Sequence, residues 1–176
     1  MQKSPPYVPT RGIQVFAAGE TSFADDRTSW AGAMLGVCIQ VGRVCVSARG
    51  RIAMLIAGPG IWDDAERRAT DVLFGGDIPF GFGRMTLSVG FGAGMGTVHT
   101  VSRASGMTDG SATDGLRADA HLGWTIRLAR RFSIDLSAAV DVAQVTDVEG
   151  SSSRSVVDEP RIFGRLGAGL RIGAGP

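Results

Sequence analysis

The side chains able to do chemistry in this sequence fall into four groups. Cys38 and Cys45 stand seven residues apart. Two thiols are too few for a four-ligand zinc site or a disulfide-dense scaffold, which leaves one disulfide, two small buried thiols or a minor metal role. Arg117, Asp119 and His121 recur at every second position, with Asp135 on the segment that follows. In a strand that spacing puts the three on one face. Such a file of ionisable groups can pass protons or gate ions. It can equally be a set of ion pairs filling a low-dielectric interior, where an unpaired charge is costly, and this second reading demands less. His99 is followed three residues later by Ser102, a spacing that sets the two on opposite faces of a strand, and no Gly-x-Ser-x-Gly elbow accompanies them. No enzymatic activity, cofactor or metal site is therefore expected. The last group is the arginines: Lys3 is the only lysine among 18 basic residues, for which a GC-rich genome is the plain explanation.

A period of two runs through the elements that must position these groups. Leu116, Ala118, Ala120, Leu122, Trp124, Ile126 and Leu128 alternate with Arg117, Asp119, His121, Gly123, Thr125 and Arg127. A helix would scatter those charges all round, so the segment is predicted as a strand. Phe132, Ile134, Leu136, Ala138, Val140 and Val142 alternate in the same way with Ser133, Asp135, Ser137 and Asp141. Met85 to Met95 alternates with Ser88, Gly90, Gly92, Gly94 and Gly96, and Ile162 to Ile172 with Arg161, Arg165, Gly167, Gly169 and Arg171. Four earlier segments are rougher. Ile13, Val15 and Ala17 form the first, Ala31 to Val41 the second, Val44 to Ile56 (against Cys45, Arg49 and Arg51) the third, and Val72 to Ile78 (against Asp71 and Asp77) the fourth. That makes eight strands, most of them 9 to 14 residues.

Tight turns at Gly42-Arg43, Gly81 to Arg84 and Ala129 to Arg131 take turns with long polar connections at 20–29, 57–69, 101–115 and 146–159. An up-and-down meander puts all the tight turns at one end and all the long loops at the other. The chain is 176 residues, one domain's worth, with net charge +1, which argues against nucleic-acid binding through bulk positive charge. Glycine is in excess, 26 of 176, about twice its usual ~7% share. The longest stretch approaching a membrane helix, Ala31 to Ile39, is nine residues, where a spanning helix needs roughly 20. No apolar leader region follows Met1 to Tyr7, as expected if a leader has been removed or the protein is not exported. Pro5-Pro6 would suit the end of a linker.

Alternation does not say which face is buried. Strands of nine or more residues match the ~9–11 that cross a bilayer, whereas soluble strands average ~5–6. The polar parity carries Arg49, Arg51, Arg117, Arg127, Arg161, Arg165 and Arg171 against Asp71, Asp77, Asp119, Asp135 and Asp141. Those mixed charges, with His121, can pair across a closed lumen. Gly90, Gly92, Gly94, Gly96, Gly123, Gly167 and Gly169 share that parity. An eight-stranded interior is just wide enough for side chains to fill, so long arginines need small neighbours. In this pattern the chain, over residues 11–173, resembles the small outer-membrane β-barrels of the OmpA and OmpX type of Gram-negative bacteria. Arg165, Gly167, Leu170 and Ile172 stand where such proteins carry a C-terminal assembly signal, without the usual terminal aromatic.

The resemblance implies an all-β, eight-stranded antiparallel up-and-down transmembrane β-barrel in the outer membrane, with residues 1–10 as a periplasmic segment, tight turns on the periplasmic side and long loops outside. Phe80, Phe82 and Phe132 flank the tight turns and suit a thin aromatic girdle. The partners implied are the lipid bilayer, the barrel-assembly machinery during insertion, and surface polysaccharide or protein at the loops. The four long loops hold twelve acids and five arginines, the tight turns four arginines. If the hairpin turn is Val41-Gly42, Cys38 faces Cys45 across the ladder, close enough for a disulfide in an oxidising periplasm. If it is Gly42-Arg43, Cys38 faces Ser47 and a bond is harder to form. A structural or surface-interaction role is expected. The alternatives are a narrow ion or proton channel and a soluble lipocalin-like carrier, the last requiring Leu122, Trp124 and Leu136 to point inward.

Overall fold

The computed structural model describes residues 12–58, 65–102, 109–149 and 161–173. Eight strands follow one another: β1 (Ile13–Ala24), β2 (Ser29–Val41), β3 (Val44–Ala57), β4 (Ala65–Phe82), β5 (Met85–Ser102), β6 (Asp109–Arg127), β7 (Phe132–Glu149) and β8 (Ile162–Gly173). Each pairs antiparallel with its sequence neighbour, and β8 returns to β1 to close the barrel. Closure leaves no open sheet edge, so every strand has backbone partners on both sides, the condition for crossing lipid as strands.

The apolar parity points outward throughout. On β5, Met85, Leu87, Val89, Phe91 and Met95 are exposed, Phe91 by 70%. On β6, Leu116, Leu122 and Trp124 are exposed, and on β7, Phe132, Leu136, Val140 and Val142. The carrier reading required Leu122, Trp124 and Leu136 inside; all three face out, and it is overturned. The belt has limits. Along β5 it runs from Met85 to Met95 and gives way to Thr97 and the exposed His99; along β4 it runs from Phe82 to Val72 and gives way to Thr70 and Arg68. Ten residue steps at ~3.4 Å, tilted by ~45°, stand roughly 24 Å tall, close to the ~25 Å apolar band of membrane barrels. The 18-residue β4 and β5 therefore continue past the belt at the loop end.

This extension changes the expected connections. Parts of 57–69, 101–115 and 146–159 are strand, and the loop tips 59–64, 103–108 and 150–160 lie outside the described residues, as do residues 1–11. The expected long loop 20–29 is a short turn, because β1 runs on to Ala24 and β2 begins at Ser29. Asp26 closes it, its Oδ1 accepting from the Thr28 N–H (2.9 Å) and hydroxyl (2.5 Å). At the other end, Val41 pairs with Val44 and Phe82 with Met85. The linking turns are thus Gly42-Arg43 and Gly83-Arg84, whose glycines sit at φ 63° and 66°, the position where a two-residue hairpin turn needs glycine.

Candidate functional site

The inward parity builds a lumen in three layers. At the loop end lies an apolar layer of Trp30, Ala53, Ala69, Val98, Ala143 and Phe163. Trp30 is 1% exposed. Its indole N–H donates to the Thr28 hydroxyl (2.8 Å), its ring meets Phe163 edge-on at 6.4 Å, and the Arg67 guanidinium lies 5.5 Å from its centre.

The middle layer is ionic. Arg165 on β8 donates to Glu20 (2.9 Å), Asp119 (2.9 Å) and Asp141 (3.1 Å), which come from β1, β6 and β7. Arg49 on β3 holds Asp119 with two parallel bonds of 2.8 and 2.9 Å, the planar fork that suits a guanidinium and a carboxylate. Arg51 pairs with Asp141 at 2.9 Å and lies 3.6 Å from both Glu20 and Asp71; Arg117 reaches Asp71 at 3.2 Å. His121 sits between Asp77, through Nε2, and Asp119, through Nδ1. Several of these links cross the lumen and join strands that are not neighbours, as Arg49 and Arg165 do in reaching Asp119 on β6 and Arg51 in reaching Asp141 on β7. Voids of about 50 and 20 Å³ flank the cluster, space for one or two waters each.

Glycines admit these groups. A Cβ at Gly92 would overlap the Arg49 guanidinium and lie 2.6 Å from Asp119 Oδ1; one at Gly96 would overlap Asp71 and lie 2.8 Å from Arg117 Nε. Gly94 and Gly169 have another reason to be small: an added Cβ would strike the carbonyls of Val72 and Ala17 on the adjoining strands. The third layer, at the tight-turn end, is open. Arg171 pairs with Asp135 (2.6 Å), donates to Gln14 (2.9 Å) and stacks over Phe16 (5.1 Å). Beside it a cavity of about 90 Å³ is bordered by Arg84, Arg127, Arg130 and Arg131.

No protein-family model matches the chain, and no curated protein sequence does. Solved structures do. A major outer membrane protein from Thermus thermophilus is similar at a TM-score of 0.65 with 10% identity, over 92% of this chain and 99% of that one. Neisserial surface protein A follows the same path at TM-score 0.59 and 12% identity, over 92% and 95%. So does Ail, the attachment invasion locus protein of Yersinia pestis, at 0.56 and 16%, over 92% and 96%. A second Ail structure is a complex with the heparin analogue sucrose octasulfate.

The fold is that of the small outer-membrane β-barrels.

Within this barrel, most of the expected lumen charges meet. Arg49, Arg51, Asp71, Asp77, Arg117, Asp119, His121, Asp141 and Arg165 form the middle layer, with Asp135 and Arg171 nearer the mouth. Arg127 borders the mouth cavity. Arg161 is a correction: it precedes β8, is exposed, and its backbone N–H donates to Asp25 at 3.2 Å. The polar parity continues one residue beyond the start of β8, so alternation alone does not separate Arg161 from the lumen set. Glu20 is the acid that loop assignment missed. Phe16, Ala18, Glu20 and Ser22 keep a period of two, and that continuation was the available signal. The hairpin turn is Gly42-Arg43, so Cys38 pairs with Ser47 and Cys45 with Gln40. The two cysteines are diagonal neighbours on the inner face, 5.7 Å apart between Cα atoms, and their sulfurs are bonded. Sheet twist draws one diagonal of a hairpin closer than the other, which makes the bond compatible with this register. In the assembly-signal stretch, Leu170 and Ile172 face outward, a Cβ added at Gly167 would lie 2.6 Å from the Ser137 hydroxyl, and Arg165 is the hub of the ionic layer. His99 is on the outer face, on the parity opposite Ser102.

Proposed function

We propose that the chain is an integral outer-membrane barrel with a structural and surface-contact role, its tight turns in the periplasm and its long loops outside. The observation that carries this reading is the combination of an outward apolar belt about one bilayer tall with a lumen filled by cross-strand ion pairs. The belt needs lipid. The filled lumen favours a solid pillar over a conduit, because ions would have to displace both the Arg165 cluster and the Trp30 layer to pass. Arg165, Gly167, Leu170 and Ile172 would serve the barrel-assembly machinery as the terminal-strand signal.

Contacts would be made at the loop end. With Glu20 and Arg67 in the lumen, eleven acids and four arginines remain in the stretches expected as loops. That balance opposes a polyanion such as the heparin analogue bound to Ail, and favours cationic protein surfaces or polysaccharide bridged by divalent cations. Refolding in detergent followed by gel electrophoresis with and without heating tests the membrane reading: the unheated barrel should migrate apart from the heated chain. A chain that stays monodisperse without detergent would overturn it. A barrel with shortened loops that retained all cell-surface binding would overturn the contact role.

A further inference from the structure

We propose that the cavity at the tight-turn end is a binding site for a phosphate oxyanion. Arg84 from the β4–β5 turn, Arg127 from the end of β6, and Arg130 and Arg131 from the β6–β7 turn all border one space of about 90 Å³. Among the described residues no carboxylate lies within ion-pair distance of any of the four. The acids nearby are committed elsewhere, Asp77 to His121 and Asp135 to Arg171. Thr86 and Thr125 line the same space. In the ionic layer deeper in the lumen, Arg49, Arg51, Arg117 and Arg165 each have a carboxylate; here four arginines border one space, and Asp77, the acid on its described lining, is paired with His121.

Arginines in that position repel one another, and low-dielectric walls focus their field into the opening. A tetrahedral oxyanion offers several acceptors to forked guanidinium donors. Size narrows the class further, because drug-sized ligands occupy roughly 300–1,000 Å³. The site suits one phosphate group and no larger body. It opens beside Phe80, Phe82 and Phe132, exposed at the edge of the apolar belt, which is the depth of lipid headgroups. The phosphate can therefore belong to a phospholipid or be free in solution.

Two arms separate these sources. In the first, the full chain refolded in an uncharged detergent is titrated with inorganic phosphate and followed by phosphorus NMR. In the second, the barrel in phosphatidylcholine nanodiscs doped with spin-labelled phosphatidylglycerol is read for immobilised lipid. Arg127→Gln/Arg131→Gln should weaken binding at least tenfold, Arg84→Gln in the other turn should weaken it measurably, and Arg43→Gln, which does not border the cavity, should leave it unchanged. Saturable phosphate binding in detergent assigns a free oxyanion; immobilised phosphatidylglycerol without it assigns a headgroup. Binding in neither arm, or equal losses in the Arg43→Gln control, overturns the proposal. The heat-shift on a gel verifies that each variant is folded, so failure of the site is distinguishable from failure of the barrel.

Discussion

Replacing Arg165 by methionine removes the cation shared by three buried carboxylates and keeps most of the side chain's bulk. Arg165 is 5% exposed and donates to Glu20, Asp119 and Asp141 at 2.9 to 3.1 Å. The three acids do not suffer equally. Asp119 keeps the two bonds from Arg49, and Asp141 keeps Arg51 at 2.9 Å. Glu20, 7% exposed, is left with Arg51 at 3.6 Å and no donated bond within reach. Breaking a buried pair from one side costs about 3–5 kcal/mol. Two of the three acids retain partners, so the expected loss is about 3 kcal/mol, at the lower end of that range. Most of it should trace to Glu20. Adding Glu20→Gln to Arg165→Met should therefore recover about 1–2 kcal/mol, a coupling within the usual span for contacting residues. Equilibrium urea unfolding of the barrel in lipid vesicles, followed by tryptophan fluorescence, measures both. If Arg165→Met costs less than about 1 kcal/mol, or the two effects simply add, the ionic layer is not a coupled network and the reasoning fails.

Four other outcomes follow from the same geometry. Phe91→Arg, in the middle of the belt, should cost about 2–4 kcal/mol in vesicles, and His99→Arg, past its upper edge, about 0–1; equal costs would misplace the membrane. Valine at Gly92 should drive Arg49 off Asp119 and lose about 3 kcal/mol, seen as a lower urea midpoint. Oxidised, exported protein should have an intact mass lighter than the dithiol by two hydrogens, with a Cys38–Cys45 peptide on non-reducing digestion, and Cys38→Ser should cost at most ~2.5 kcal/mol for so short a loop. In planar bilayers the barrel should carry no steady current, and a current abolished by Asp135→Ala would turn the lumen from a plug into a path.

What could be read before the structure was whatever a period of two encodes. From Leu116 to Arg127 the side chains take the faces that alternation assigns them, because a strand has no other way to arrange an alternating run. The limits of that signal are equally physical. Gly19-Glu20-Thr21-Ser22 reads as a polar loop by composition, and its ladders with β2 on one side and β8 on the other make it strand. Trp30 and Phe163 lie on the inward parity at the loop end, where a large apolar group has no counterpart in a purely polar lumen; their meeting depends on β1 lying between β2 and β8 in the closed sheet. The hairpin register at Cys38 could not be chosen from alternation because both candidate registers keep the same faces inside. The positive φ of Gly42 at the first turn position decides it.

The ionic layer has a use that does not depend on transport. Shifting any strand by one residue exchanges its two faces, and in a barrel apolar on both sides such a slip would cost little. Here it would turn Arg117, Asp119 and His121 of β6, and Arg165 and Arg171 of β8, into the lipid while drawing Leu116, Leu122, Leu166 and Leu170 inside. An arginine of the middle layer such as Arg165 costs about 2–4 kcal/mol at mid-bilayer, and breaking its buried pairs about 3–5 kcal/mol more. The penalty for one slipped strand is comparable with the whole stability of an ordinary domain, about 5–15 kcal/mol. A lumen crossed by ion pairs therefore specifies the register of every strand that contributes to it, with the glycines of β5 supplying the room. Conductance is not needed to explain why a membrane barrel would retain so many buried charges.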